Sequence, residues 1–235
     1  MPDNKALSVK KIFAEVPATY ELVNHVLTLG LDALWRRWAA KIAATAYPGK
    51  WVDMCTGTGD MAVCLNRLAP EGTSIYAVDF SEPMLAEARK KPEAKGIEFV
   101  VADIKALPFD DATFDLATMS FAARNINLSR EVLVQSFAEY YRILKPGGCF
   151  VNLETSQPSW RPIRKCFHAY IKLSVRAIGS RISGSKAAYT YLATTIPRFY
   201  PAEELADIMR QAGFEKVTFQ KYLFGAAAIH RAGKS

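Results

Sequence analysis

The chain has 235 residues, half of them hydrophobic, and carries a formal net charge of +7 at pH 7. This length suits one large α/β domain with its own core, and this composition excludes an intrinsically disordered protein. The four cysteines lack metal-ligand spacing, the N-terminus lacks a secretory leader, and no apolar run reaches the roughly 18 residues of a membrane span, so we expect a metal-free, soluble, cytoplasmic protein.

Strands and helices alternate after a predicted N-terminal helical cap at residues 1–48. Residues 49–156 form the predicted core, whose five parallel strands have the sequences KWVDM, SIYAVDF, IEFVVAD, FDLATMSF and CFVNLET. Ser81 and Ser129 are predicted to cap the helices that follow the second and fourth strands. The sequence KPGG at 145–148 is expected to end the second of these helices.

The C-terminal third is predicted to contain an insertion at residues 157–200, followed at 201–235 by a helix and two strands. These strands, FEKVTFQKY and LFGAAAIHR, are separated by so few residues that they must form an antiparallel hairpin. The predicted fold class is therefore α/β, a single Rossmann-like domain with a seven-stranded doubly wound sheet, an antiparallel terminal hairpin and a helical insertion.

A glycine loop follows the first predicted strand, in the sequence WVDMCTGTGDMAVCL at 51–65. Gly57, Gly59 and Ala62 match the G-x-G-x-x-G/A fingerprint, which normally seats a pyrophosphate on a helix N-terminus. Asp60, directly after the second glycine, would repel a phosphate. S-adenosylmethionine carries adenosine and two cationic groups but no phosphate, so Asp53 and Asp60 favour this cofactor. An NAD-dependent dehydrogenase is the second interpretation.

Polar residues follow the next strands at the edge where such sheets bind ligands. Asp79 lies twenty residues beyond Gly59, the offset at which a carboxylate accepts both ribose hydroxyls. Asp103 and the apolar residues 107–109 suit an adenine ring, and Ser120 closes the fourth strand. A strand-end aspartate alone is more often part of a turn, but together these residues predict an adenosine site at residues 49–156.

Five stretches resemble the UbiE/MenG family of quinone-biosynthesis C-methyltransferases: VDMCTGTGD, AVDFSEPML, ADIKALPFDDATFD, MSFAARNI and RILKPGG. Flanking stretches agree, so the resemblance covers nearly the whole chain. It implies a class I S-adenosylmethionine-dependent methyltransferase that methylates a ring carbon of a polyprenyl hydroquinone, typically demethylmenaquinol to menaquinol. Departures occur at Cys55 and Thr56, where the family usually has Ala or Gly, at Ala122 in place of a glycine, and at 154–158.

Matched residue by residue, the resemblance implies cofactor contacts from Thr58, Asp79, Asp103, Ile104 and Ser120. With the residues singled out above and Phe80, which follows Asp79, the predicted cofactor site comprises Asp53, Gly57, Thr58, Gly59, Asp79, Phe80, Asp103, Ile104 and Ser120.

Arg124, Asn125 and Tyr20 are the predicted catalytic residues. Arginine essentially never deprotonates, so Arg124 should stabilise the ionised quinol or position a water. A structural role for Arg124 and Asn125 in pinning a loop is the alternative. The three histidines are more often structural and stay outside the predicted site.

The basic excess is concentrated in the insertion, whose residues 157–200 include eight Lys or Arg and no Asp or Glu. This segment is also aromatic, so we expect it to hold the enzyme peripherally on the anionic inner face of the cell membrane, where a lipid quinol resides. A solvated helix face and a lid are the alternatives. A methyltransferase acting on nucleic acid or another small molecule, and a noncatalytic assembly protein, are rival functions. No nucleic-acid partner is expected, and a homodimer stays open.

Overall fold

The structure, a computed structural model, describes residues 17–175 and 186–235, with the backbone alone for 17–21 and 186–189. Its helices are α1 (Pro17–Thr28), α2 (Leu31–Ala43), α3 (Asp60–Leu68), α4 (Glu82–Arg89), α5 (Ala123–Ile126), α6 (Arg130–Ile143), α7 (Arg161–Tyr170), α8 (Lys186–Thr195) and α9 (Ala202–Gln211). Its strands are β1 (Lys50–Met54), β2 (Ser74–Asp79), β3 (Ile97–Val101), β4 (Phe114–Ser120), β5 (Leu144–Thr155), β6 (Lys216–Tyr222) and β7 (Ala227–Gly233).

The seven strands form one sheet in the order β3-β2-β1-β4-β5-β7-β6. Strands β1 to β5 pair in parallel, and β7 pairs antiparallel with both β5 and β6. The predicted fold class and terminal hairpin are confirmed. Because β7 alone is reversed, β6 runs in the same direction as the first five strands, and the turn between β6 and β7 lies at their carboxyl edge.

Strand β5 begins earlier than the sequence predicts. Helix α6 ends at Ile143, and Leu144 already has an extended backbone paired with Phe114. Cys149 then pairs with Leu116, so the KPGG segment bulges out between two paired positions of one strand. The prediction that KPGG lies between a helix and a strand was therefore wrong in its boundary, because local turn signals do not reveal a strand that pairs on both sides of a bulge.

Hydrophobic residues pack on both faces of the sheet. On one face, Phe137 and Tyr140 of α6 pack with Phe150 of β5 and with α9. On the other face, Trp51 of β1 packs with the small residues of α2 and with α3. The predicted N-terminal cap is thus divided: α2 belongs to a layer of the sheet, as the burial of its alanines shows.

The insertion packs on α1. Val23 and Leu27 of α1 form a separate apolar cluster with Ile171, Val175 and Leu192 of the insertion. The Tyr170 hydroxyl donates a hydrogen bond to the Leu27 carbonyl at 2.5 Å. Among the helices that the structure describes, none is long and apolar enough to cross a membrane.

Gly59 is required where the glycine loop enters α3. Its φ of +81° lies in the left-handed region, and a Cβ added there would stand 2.9 Å from the Ala88 Cβ of α4. Gly57 is also left-handed, at φ +56°, but an added Cβ would meet no atom within 4 Å. A side chain at Gly57 would therefore carry only the conformational cost of a left-handed backbone, whereas a side chain at Gly59 would add a steric cost.

We expect Gly59→Ala to lower the unfolding temperature more than Gly57→Ala. Both variants incur the cost of a left-handed alanine, about 1–2 kcal/mol, and Gly59→Ala adds the clash with Ala88. Thermal unfolding of the two variants and the parent, followed by circular dichroism, measures the difference. Equal losses would show that α4 moves away at no cost.

Candidate cofactor and acceptor site

The glycine loop and Asp79 are locked together by backbone hydrogen bonds. The Thr56 amide donates to the Val78 carbonyl at 3.0 Å, and the Gly57 amide donates to the Asp79 carboxylate at 2.9 Å. The other Asp79 oxygen accepts the Ser81 amide, also at 2.9 Å. Burial raises the pKa of Asp79, while these amide donors oppose that rise. The carboxylate is thus fixed at the end of β2, beside the loop.

A cavity of about 80 Å³ lies between this loop and the end of β4. Asp79 and the predicted residues Gly57, Thr58 and Ser120 line it, and Asn125 of α5 lines it opposite the loop. The buried Asn125 Oδ1 has no hydrogen-bond partner among the described residues. This oxygen can therefore accept a hydrogen bond from a bound molecule.

Asp60 lines the same cavity, as predicted, but cations of the protein surround it. Lys91 pairs with one of its carboxylate oxygens, and Arg36 lies 3.7 Å from the other. The carboxylate that the sequence assigns to a cationic ligand therefore already has two positive neighbours, which offset part of its charge.

Asp53 lies behind the loop and does not line the cavity. Its carboxylate is buried and accepts hydrogen bonds from the hydroxyls of Thr56 at 2.6 Å and Thr118 at 2.7 Å. Burial raises its pKa to about 7, against the two hydroxyl bonds that lower it. Asp53 therefore supports the loop from beneath, joining β1, β4 and the loop.

Three other predicted cofactor residues, Phe80, Asp103 and Ile104, are not part of the cavity lining. Phe80 packs with Met84 of α4, which itself lines the cavity. Ile104 is buried in the core, and the Asp103 carboxylate accepts the Lys105 amide at 3.1 Å. Gly59 also stands outside the lining, at the packing contact between α3 and α4.

A second, largely apolar cavity of about 230 Å³ adjoins the first. Arg36 and Phe121 line both cavities, and the Arg36 guanidinium lies 5.3 Å from the centre of the Phe121 ring. The second cavity is bounded by α1, α2, the insertion and the turn after β6; its apolar lining includes Leu27, Leu31, Trp35, Phe167, Ile171, Val175, Leu192, Ile196 and Leu223.

Arg124 lines the apolar cavity, where it is paired with a buried carboxylate. Its guanidinium donates to Glu154 at 3.4 Å and to the Thr155 hydroxyl at 3.2 Å, and its amide donates to Glu154 at 3.1 Å. Arg124 Nε is buried without a partner among the described residues. Asn125, its neighbour, faces the first cavity, so the predicted pair spans both.

Tyr20 lies in α1, one turn before Asn24, which lines the apolar cavity. The side chain of Tyr20 lies outside the described residues. His25 pairs with Asp32 at 2.7 Å, and His168 contacts Gln157 at 2.7 Å. Burial lowers the pKa of His230 to about 4.

The sequence predictions missed Arg36 and Glu154. Asp32 holds Arg36 at 2.7 Å, and Glu154 holds Arg124, in both cases through a nearly fully buried carboxylate. Arg36 belongs to the stretch LDALWRR, and Glu154 is the second-last residue of the fifth predicted strand. A charged residue in an apolar strand is the one signal that pointed to Glu154, and its partner is thirty residues away.

The pKa of Asp53 predicts a dependence of stability on pH. Because the folded pKa exceeds the ordinary value of 3.8, the folded state binds more protons between about pH 4 and 7, and stability falls as pH rises through this range. We expect Asp53→Asn to flatten this part of the profile, measured as unfolding temperature from pH 4 to 8. Glu71→Gln, at an exposed carboxyl, should keep the parent's slope. Parallel profiles for Asp53→Asn and the parent would contradict the assignment.

The model of the ubiE/COQ5 methyltransferase family matches residues 1–234 of the chain. A ubiquinone/menaquinone biosynthesis C-methyltransferase UbiE from Desulfotalea psychrophila is 37% identical over 227 residues, covering 97% of this chain and 90% of that protein. A demethylmenaquinone methyltransferase from Thermus thermophilus is 39% identical over 221 residues, covering 93% of this chain and 98% of that protein.

Solved structures agree on the fold. A SAM-dependent methyltransferase from Thermotoga maritima superposes with a TM-score of 0.60 at 23% identity, covering 97% of this chain and all of that one. Another, from Aquifex aeolicus, has a TM-score of 0.53 at 19% identity and covers 78% of this chain and 80% of that one. With the family match along the whole sheet and both cavities, the chain belongs to the ubiE/COQ5 methyltransferase family and is an S-adenosylmethionine-dependent C-methyltransferase.

Proposed function

We propose that the protein methylates a ring carbon of a polyprenyl hydroquinone, converting demethylmenaquinol to menaquinol. One observation carries this proposal: a cavity at the glycine loop, lined by polar and apolar residues, and a largely apolar cavity share a wall formed by Arg36 and Phe121. A polar cofactor and an apolar acceptor can therefore meet there. The names of the relatives from Desulfotalea psychrophila and Thermus thermophilus support quinones as the acceptor class.

The residues of the first cavity fit S-adenosylmethionine. Asp79 offers a fixed carboxylate to ribose hydroxyls, and Gly57 presents no side chain to the cavity. Asn125 Oδ1, buried without a partner among the described residues, can accept a bond from an ammonium group. When bound, the cofactor supplies an electrophilic methyl group on a cationic sulfur.

Arg124 is the proposed electrostatic catalyst. A quinol ring carbon becomes nucleophilic when the neighbouring hydroxyl ionises, and a guanidinium beside that oxygen favours the ionised form. Arg124 Nε and Nη2 are the donors in question, because Glu154 and Thr155 already accept from Nη1. The ring proton must leave to another group, since arginine keeps its own protons. Tyr20 is proposed to contact a quinol hydroxyl.

Expression in a bacterial strain that lacks this methylation step tests the function directly. Mass spectrometry of the extracted lipids should show demethylmenaquinone converted to the species one methyl group heavier. Asp79→Asn, which removes the proposed ribose contact, is the inactive control. Unchanged quinones alongside folded protein would overturn the proposal.

We expect Arg124→Ala to lower single-turnover methylation on the order of 10²–10³-fold while cofactor affinity changes by a few-fold at most. The guanidinium lines the acceptor cavity, whereas its neighbour Asn125 lines the cofactor cavity. Rapid-quench turnover and calorimetric titration of the cofactor measure the two effects. Arg130→Ala, at a surface arginine paired with Glu204, is the matched control.

The Arg124 variant also leaves Glu154 buried with one donor fewer, so its unfolding temperature must be measured alongside. Near-parent turnover in a folded Arg124→Ala protein would return Arg124 to a purely structural role.

The basic insertion is proposed to hold the enzyme reversibly on the anionic face of the membrane that contains its substrate. Four of its basic side chains, Arg161, Lys165, Lys172 and Arg198, are exposed and pair with no carboxylate of the described residues. Arg164 differs, because it donates to the carbonyls of Pro158 and Ser159 within the segment. Arg176, Arg181 and the side chain of Lys186 lie outside the described residues.

Replacing Arg161, Lys165 and Lys172 by glutamine should weaken binding to anionic vesicles on the order of 10–100-fold, since each basic residue contributes roughly 1 kcal/mol. Binding by the parent should also weaken with salt, because the Debye length shrinks. The matched control replaces Lys50, Lys95 and Lys216, exposed lysines near the amino ends of β1, β3 and β6. Vesicle sedimentation measures the binding of both triple variants. Equal losses would show that binding depends on the net charge of the protein and not on the position of the basic residues.

A further inference from the structure

Three bulky apolar residues are exposed in left-handed turns beside the apolar cavity. Leu29 has φ +54° in the turn between α1 and α2, and Leu223 and Phe224 have φ +46° and +56° in the turn between β6 and β7. Their relative exposures are 85%, 51% and 75%. Such backbone angles disfavour large side chains, and exposed apolar surface is unfavourable in water, so folding stability alone does not account for these residues.

Leu29 and Leu223 line the cavity and are at the same time exposed, which places them at its mouth. The β6–β7 turn is held there firmly. The Ser156 amide donates to the Ala226 carbonyl at 2.8 Å, and the Lys221 ammonium donates to the Ser159 hydroxyl at 2.9 Å. These bonds fix the turn against the start of the insertion, beside the basic α7.

We propose that Leu29, Leu223 and Phe224 form an insertion rim that enters the lipid bilayer around the mouth of the acceptor cavity. This inference rests on the proposed function in one respect, that the cavity receives a membrane-borne acceptor. It adds a second component to membrane binding, supplied by residues outside the basic insertion. A rim buried in the acyl boundary would let a prenyl tail enter the cavity without crossing water.

Charge complementarity favours a bilayer as the partner of this rim. The adjacent segment 157–200 contains no acidic residue. Its exposed Arg161 and Lys165 lie on α7, which follows the rim's contacts at Ser156 and Ser159, and the exposed Lys172 comes directly after α7. Two copies meeting at this face would bring like charges together without acidic partners from the segment. Anionic headgroups meet the charges, and the acyl region beneath them accepts the rim.

The test uses the full chain with Leu223→Asn and Phe224→Asn combined. Asparagine tolerates left-handed backbone, so the double variant should fold and keep or raise the unfolding temperature. Binding to vesicles of phosphatidylcholine with phosphatidylglycerol is measured by sedimentation at low and high salt. Tyr47→Asn is the control, because Tyr47 is an aromatic residue with 80% exposure that precedes β1, at the opposite edge of the sheet.

We expect the double variant to bind vesicles about tenfold more weakly, with the loss persisting at high salt, because the rim contributes apolar insertion instead of charge attraction. The salt-sensitive component should remain, and Tyr47→Asn should bind like the parent. Parent-like binding at high salt by the folded double variant would overturn the rim. The rim proposal would also be overturned if the double variant changed the sedimentation coefficient without changing vesicle binding. The rim would then contact a second copy of the chain and not a bilayer.

Methylation of a water-soluble, short-tailed quinol distinguishes this inference from the proposed function. Phe224→Asn alone, at a rim residue outside the cavity lining, should retain parent turnover on the short-tailed quinol and lose turnover on the long-tailed one in vesicles. If the parent methylates neither quinol but the double variant still loses vesicle binding, the acceptor assignment fails and the rim stands.

Discussion

Arg36 is held between two carboxylates, Asp32 on its own helix and Asp60 at the start of α3, while its guanidinium lies over the Phe121 ring. This arrangement ties α2 to the glycine loop and gives the two cavities a common wall. Asp32 is almost fully buried and also accepts from Thr28 at 2.7 Å, so it is a preorganised anchor for the guanidinium. Without such an anchor, the N-terminal helices would contact the sheet without giving the proposed cofactor and acceptor cavities a common wall.

The second buried ion pair joins Arg124 to Glu154, and it matters more for the orientation of Arg124 than for the net stability of the fold. Desolvation of two buried charges offsets most of their attraction, so such a pair contributes little net stability, yet removing one partner is strongly destabilising. Glu154 also accepts the Thr155 amide at 2.7 Å and hydroxyl at 2.9 Å, which leaves Arg124 in one orientation. Because these contacts hold the guanidinium from one side, its Nε lies beside the apolar cavity with no partner in the part of the chain that the structure describes.

Sequence patterns predicted those features that depend on residues close together along the chain. The glycine loop, the position of Asp79 and the terminal hairpin follow from spacing along the chain, and the structure confirms the fold. Asp53 shows the limit: β1 is central and buried on both faces, so a polar residue within it faces other buried groups and not necessarily a ligand. Glu154 shows another limit, because folding brings its partner Arg124 close and no spacing along the chain encodes that proximity. The same holds for Arg36 and Asp60, although the pair of Arg36 with Asp32 is an i, i+4 contact within one helix.

Left-handed non-glycine residues mark the functional edge of this sheet. Of the six among the described residues, Cys55 and Phe121 border the proposed cofactor cavity, and Leu29, Leu223 and Phe224 form the proposed rim; Ala112 is the exception. Strained backbone persists where surrounding structure holds it in place, and here the reversed direction of β7 supplies part of that structure. Because β6 runs with β1 to β5, its final turn reaches the carboxyl edge, where the parallel strands also end. The reversed direction of β7 thus brings the hairpin turn to the mouth of the apolar cavity, the proposed acceptor site.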